Sequence, residues 1–102
     1  LDLNSYLIKR PAATFFVRVN GDSMVNAGIK DNDILVVDRS IKPTHGKVII
    51  AVLDGQMTVK RLYKRSGKII LMPENDLYKP IEIKDHMNME IWGVVTSSVH
   101  FL

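Results

Sequence analysis

The sequence predicts a mostly β protein, built from curled antiparallel sheets or a partly open barrel, with one short helix near its start. Three observations predict it. Short runs rich in β-branched and aromatic residues recur at close spacing, separated by Gly, Asn, Asp and Pro. Asp54-Gly55 stands between two of these runs, and Asp-Gly is a strong hairpin signal because a type I′ turn needs positive φ at both central positions. The last run, from Met89 to Val99, is long and carries one interior glycine, Gly93, which predicts a bend or bulge.

The elements follow in order. Asp2 is a suitable N-cap for a short helix over residues 2–8, with Leu3, Leu7 and Tyr6 on a shared face. Pro11 marks its end, since a proline disfavours helix in the residue before it. A strand is predicted from Ala13 to Asn20, its apolar run interrupted by Arg18. Residues 21–33 are turn chemistry, with Gly21, Asn26, Gly28, Asp31, Asn32 and Asp33. Ile34-Leu35-Val36-Val37 is a continuous apolar strand, buried on both faces, and a loop follows from Asp38 to Gly46. Lys47 to Leu53 and Gln56 to Tyr63 form the hairpin arms. By the two-residue period, Thr58, Lys60 and Leu62 face one way, and Met57, Val59 and Arg61 face the other. Ser66-Gly67 turns the chain into a strand over residues 68–72. Residues 73–80 form a loop, and Ile81-Glu82-Ile83 a brief strand. Trp92 and the Phe15-Phe16 pair are expected in the core rather than as platforms for bases.

At 102 residues the chain is expected to form a single domain, residues 1–102. Hydrophobic residues make up 46% and charged residues 25%, enough for a folded but thin core, which favours a partner subunit. The absence of cysteine excludes disulfides and thiolate metal sites, and it fits a reducing cytoplasm. No apolar run is long enough to cross a bilayer, so no membrane partner is expected. The net charge is +3, with Lys60, Arg61, Lys64, Arg65 and Lys68 forming a basic strip. Such a strip either meets nucleic acid or an acidic partner, or protects a strand edge from aggregation.

Ser23 follows Gly21-Asp22 at the corner after a strand, a place that exposes a side chain where glycine lets the backbone bend. Turn serines mostly bond to local backbone. A nucleophilic serine needs a base, and lysine serves only if its amine is neutral, which requires burial or a repulsive neighbour. Lys60, among Met57, Val59 and Leu62, has an apolar setting available. From the pattern alone, a surface lysine on an edge strand is the expected reading. His45, His86 and His100 lack metal-ligand spacing; His45 is expected in a turn and His100 near a fraying end. Asp31-Asn32-Asp33 opens like a calcium loop but lacks the later ligands, so capping or turn bonding is expected. No glycine-rich phosphate loop is present, and neither cofactor nor metal is expected.

The block from Phe16 to Met24, the block from Gly28 to Asp38, and Asp54-Gly55-Gln56-Met57-Thr58-Val59-Lys60-Arg61-Leu62 resemble the self-cleaving LexA/UmuD family. Leu71-Met72-Pro73-Glu74-Asn75 and Ile91-Trp92-Gly93-Val94-Val95 resemble its closing strands. The resemblance spans nearly the whole chain. The opening residues are most similar to the UmuD-type mutagenesis subunits in their processed form, and to their plasmid-borne relatives, rather than to the repressors. The resemblance implies the fold of the LexA C-terminal domain and a Ser–Lys dyad, with Ser23 as nucleophile and Lys60 as general base. It also implies an oxyanion hole from the backbone N–H groups of Asp22 and Ser23. The family reaction is cleavage of its own N-terminal arm, stimulated by a RecA filament on single-stranded DNA. The shortened homodimer then joins a Y-family DNA polymerase, of the UmuC kind, in lesion bypass.

The family cuts an Ala-Gly or Cys-Gly bond upstream of the serine, and no such pair precedes Ser23; Ala27-Gly28 follows it, in the turn. The N-terminal cleavage arm is thus expected to be absent. The expected function is a processed subunit of an error-prone translesion polymerase in the SOS response, retaining a self-cleavage dyad. The alternatives are the catalytic core of a self-cleaving SOS or phage repressor, or a signal-peptidase-like Ser–Lys protease. No helix-turn-helix precedes the core and no membrane anchor is present, which counts against each in turn.

Overall fold

The computed structural model describes all residues from Leu1 to Leu102. Asp2 caps the short helix α1 (Leu3–Leu7), its carboxylate accepting from the N–H of Asn4 at 3.1 Å and from the hydroxyl of Ser5 at 2.8 Å. The helix buries little: Leu3 and Tyr6 are exposed and only Leu7 is half-buried. It stops before Pro11, which instead opens a single 3-10 turn, Pro11–Ala13.

Seven strands follow: β1 (Thr14–Arg18), β2 (Ile34–Asp38), β3 (Val48–Leu53), β4 (Gln56–Arg65), β5 (Lys68–Met72), β6 (Ile81–Glu82) and β7 (Met89–Val99). They form one antiparallel sheet in the order β1-β2-β7-β3-β4-β5-β6, and its two ends do not close on each other. The mostly β expectation and the short N-terminal helix are borne out. The β3–β4 turn has φ of 48° at Asp54 and 83° at Gly55, the positive pair that the Asp-Gly signal required. The β4–β5 turn repeats the device, with φ of 52° at Ser66 and 74° at Gly67.

Alternation along the strands makes two cores. Ile50 joins Val19, Met24, Ile29, Leu35 and Val37 in one cluster, while its neighbour Ile49 joins Ala51, Leu62, Leu71 and Val94 in the other. Strand β2 lies between neighbours on both edges, and Leu35, Val36 and Val37 are all buried, as the continuous apolar run predicted.

Strand β7 is bulged twice. Ile50 faces Gly93 and Ala51 faces Ile91, so Trp92 is the extra residue; Val36 faces Ser97 and Val37 faces Val95, so Thr96 is another. Gly93 is required by close approach: a Cβ there would meet Val37 Cγ1 at 2.6 Å and the Asp38 carbonyl oxygen at 3.2 Å. The bulge corrects one expectation, because it turns Trp92 outward and leaves it 43% exposed. Phe16 is also outside the core, 58% exposed, since β1 is an edge strand whose alternate residues face solvent. Its neighbour Phe15 packs against the core. His100 does not fray; its Nδ1 lies 2.6 Å from Oδ1 of the buried Asp33.

Candidate active site

The chain leaves β1 at Arg18 and must turn sharply to return as β2. Gly21 takes a φ of 90°, which a side chain would make strained, and its N–H donates to Asp31 Oδ1 at 2.7 Å. The adjoining turn is tied down by Val19, whose N–H donates to the Asp33 carbonyl and whose carbonyl accepts from Asn32. The three polar side chains at 31–33 are thus spent separately: Asp31 holds Gly21, Asn32 accepts from Arg18, and Asp33 accepts from Lys30 N–H at 2.8 Å. Met24 then plunges into the first core cluster, 1% exposed. A glycine bend on one side and a buried methionine on the other fix Ser23 between them, half-buried at the surface.

Lys60 comes from the middle of β4, paired with Ile49 of β3 and sharing its face with Thr58 and Leu62. It is buried, 8% exposed. The surface-lysine expectation is thereby corrected. Its Nζ lies 3.1 Å from Ser23 Oγ across 37 residues of sequence. Two further partners complete its shell: Thr58 Oγ1 at 2.6 Å and the Val59 carbonyl oxygen at 3.0 Å. No carboxylate pairs with it, and removal from water lowers its pKa below the usual lysine value. The charged amine would donate to all three partners. The neutral amine has two N–H groups and one lone pair, which match Thr58, Val59 and an approaching serine hydroxyl.

Ser23 and Lys60 share a cleft of about 330 Å³, bordered by Val17, Asn20, Met57 and Tyr78. The N–H groups of Asp22 and Ser23 make no hydrogen bond within the chain. A second segment braces this corner from behind. Glu74 N–H donates to the Ser23 carbonyl at 2.9 Å, and Asn26 N–H donates to the Glu74 carbonyl at 2.8 Å. Asn75 Nδ2 donates to the Asp22 carbonyl at 3.0 Å, and the Tyr78 hydroxyl to Asp22 Oδ1 at 2.6 Å. That last bond holds the Tyr78 pKa above its ordinary value. Glu74 is also ion-paired to Arg61, the residue after Lys60.

A family model described as Peptidase S24-like matches residues 1–96. The chain belongs to that family. Protein ImpA of Escherichia coli is 50% identical over 100 residues, covering 98% of this chain and 68% of that protein. Protein SamA of Salmonella typhimurium is 47% identical over 100 residues, covering 98% of this chain and 69% of that protein. The LexA repressor of Caldicellulosiruptor saccharolyticus is 48% identical over 71 residues, covering 70% of this chain and 35% of that protein. The resemblance to the LexA/UmuD family is borne out by these relatives. In this S24-like chain the expected pair, Ser23 and Lys60, comes together. Sequence reasoning assigned no role to Asn75 and Tyr78, which stand 53 and 56 residues from Asp22, although Asn75 ends the Leu71–Asn75 block that resembles the family. It had Thr58 on the Lys60 face without assigning it a task. The calcium-like triplet and the three histidines gather no metal-binding cluster, and no helix is long and apolar enough to cross a membrane.

Proposed function

We propose that this chain is the Ser–Lys peptidase core of a DNA-damage-response protein, and that the core serves as the processed subunit of an error-prone translesion polymerase. The observation that carries the catalytic half is the 3.1 Å approach of Lys60 Nζ to Ser23 Oγ at a buried site without a countercharge. The neutral amine takes the hydroxyl proton as Ser23 Oγ attacks a peptide carbonyl. The tetrahedral oxyanion is held by the N–H groups of Asp22 and Ser23, the two left unpartnered beside the cleft. The proton then passes to the leaving amine, and water later releases the acyl group by the same base.

The polymerase half rests on the resemblance to the UmuD-type subunits. The family's scissile pair is Ala-Gly or Cys-Gly, and the Ala27-Gly28 of this chain is tied into a 3-10 turn just past Ser23, where Gly28 N–H donates to the Val25 carbonyl. That bond is structural and is not the substrate. We propose a homodimer that joins a Y-family polymerase of the UmuC kind, with a RecA filament on single-stranded DNA as activator of the precursor's cleavage. Such a core works in the cytoplasm, and its binding role does not need Ser23 once the arm is cut.

A damage-induced mutagenesis assay in cells lacking the native subunit tests the reading. The core, residues 1–102, is supplied with Ser23 or with Ser23→Ala, alongside an arm-bearing precursor with the same two residues. Both cores should support bypass, and the Ser23→Ala precursor should not. Loss of bypass in the Ser23→Ala core at normal protein level would replace this reading with a continuing peptidase role.

A further inference from the structure

The loop between β5 and β6 holds both residues of the nucleophile's corner by their carbonyl groups, the backbone carbonyls of Asp22 and Ser23 and the Asp22 carboxylate. This is informative because no peptide bond in the chain is cis. In a planar trans peptide the C=O of one residue and the N–H of the next point in opposite directions. Fixing the Asp22 carbonyl therefore fixes the direction of the Ser23 N–H. The Asp22 carbonyl is held by Asn75 Nδ2 at 3.0 Å, and the Ser23 carbonyl by Glu74 N–H at 2.9 Å. The Asn75 side chain is itself oriented, because its Oδ1 accepts the Leu77 N–H at 3.0 Å, which leaves Nδ2 facing Asp22. The same loop is anchored to the strand that bears Lys60 through the Glu74–Arg61 ion pair.

We infer that Asn75 is a positioning residue of the oxyanion hole: by holding the Asp22 carbonyl it aims the Ser23 N–H at the oxygen of the reacting group. Asn75 touches neither the nucleophile's oxygen nor the lysine, so it acts through one rotated peptide plane. This inference rests on the Ser23–Lys60 reading and adds to it the device that orients a donor. Because the bond bears on the donor and not on the base, its loss lowers the rate without moving the pH at which the base becomes active.

The test is the rate at which Ser23 reacts with a fluorophosphonate probe, followed by mass across pH. In that step Ser23 Oγ bonds to phosphorus, the P–F bond breaks and fluoride leaves. The hydroxyl proton passes to the Lys60 amine, while negative charge grows on the phosphoryl oxygen. Wild type, Lys60→Ala, Asn75→Ala and Asn75→Asp are compared. Asn75→Asp keeps the oxygen that receives Leu77 N–H, and so the local turn, but lacks the donor. Both position-75 variants should lower the alkaline plateau by on the order of tenfold or more, short of the 10²–10³-fold loss typical of deleting a donor outright. The Asn75→Ala midpoint should match wild type. A plateau within twofold of wild type in either variant, or a plateau restored by raising the pH, overturns the inference while leaving the dyad intact. A wild-type protein that is not labelled at Ser23, or is labelled equally without Lys60, overturns the dyad reading itself and this inference with it.

Discussion

Thr58 Oγ1 lies 2.6 Å from Lys60 Nζ, two positions away on the same face of β4. The relationship follows from the strand alone, because side chains at i and i+2 point the same way. It gives the lysine amine a fixed partner that does not depend on Ser23. The Val59 carbonyl, at 3.0 Å, is the second. Together they leave the third tetrahedral direction of nitrogen for the serine hydroxyl.

Thr58→Val keeps the shape and removes the hydroxyl, so it separates placement from protonation. An acceptor stabilises an ammonium more than an amine. Its loss therefore disfavours the charged lysine further, and the pH midpoint of Ser23 reactivity should move to lower pH. The plateau should fall on the order of tenfold, since the amine is no longer held in line. A pH–rate profile of the variant reads both. An unchanged midpoint and plateau would remove Thr58 from the site.

Gly93 sits where β7 presses on β2, and its replacement tests the packing that brings the two cores together. Gly93→Ala places a methyl 2.6 Å from Val37 Cγ1 and 3.2 Å from the Asp38 carbonyl. The clash should cost about 1–3 kcal/mol. For a domain of this size that is a fall in Tm of roughly 4–8 °C for each kcal/mol. A variant melting at the wild-type temperature would mean that the bulge moves aside freely.

The hairpins were legible because Asp54-Gly55 and Ser66-Gly67 specify their own backbone angles, and no distant residue is needed to form them. The approach of Ser23 and Lys60 was legible for another reason: the motifs around them resemble a family, although the residue pattern alone pointed to a surface lysine on an edge strand. What decided it was burial under a corner 37 residues away. Trp92 and Phe16 were misplaced because their fate depends on register. One unpaired residue in β7 turns Trp92 outward, and the edge position of β1 does the same for Phe16. The bonds of Asn75 and Tyr78 to Asp22, and the His100–Asp33 pair, were illegible because in each the two partners lie across the fold, more than 50 residues apart.

Asp33 predicts a pH dependence of stability. The hydrogen bond from Lys30 N–H, and then His100 beside it, hold its carboxyl below the ordinary value of 3.8. The depressed pKa means that the unfolded chain takes up the proton first as pH falls. Stability from this group is therefore present above about 4 and is lost as pH drops through the folded value. Asp33→Ala leaves the Lys30 donor unpaired and should cost about 1–3 kcal/mol at neutral pH. It should also flatten the acid limb. Urea denaturation at several pH values measures both, and an acid limb as steep as that of wild type would assign the loss to other carboxylates.

The proposal that buried Lys60 activates Ser23 is tested most directly by one measurement. A peptide carrying the family's Ala-Gly bond is supplied in trans to the wild-type core and to Lys60→Ala, and the initial cleavage rate is followed from about pH 6 to about pH 11. Burial lowers the Lys60 pKa, so the wild-type rate should rise with pH and level off before the usual lysine range is passed. Lys60→Ala should be slower by about 10²–10⁴-fold and should lack that rise. Equal rates for the two proteins, or the same rise without Lys60, would contradict the account.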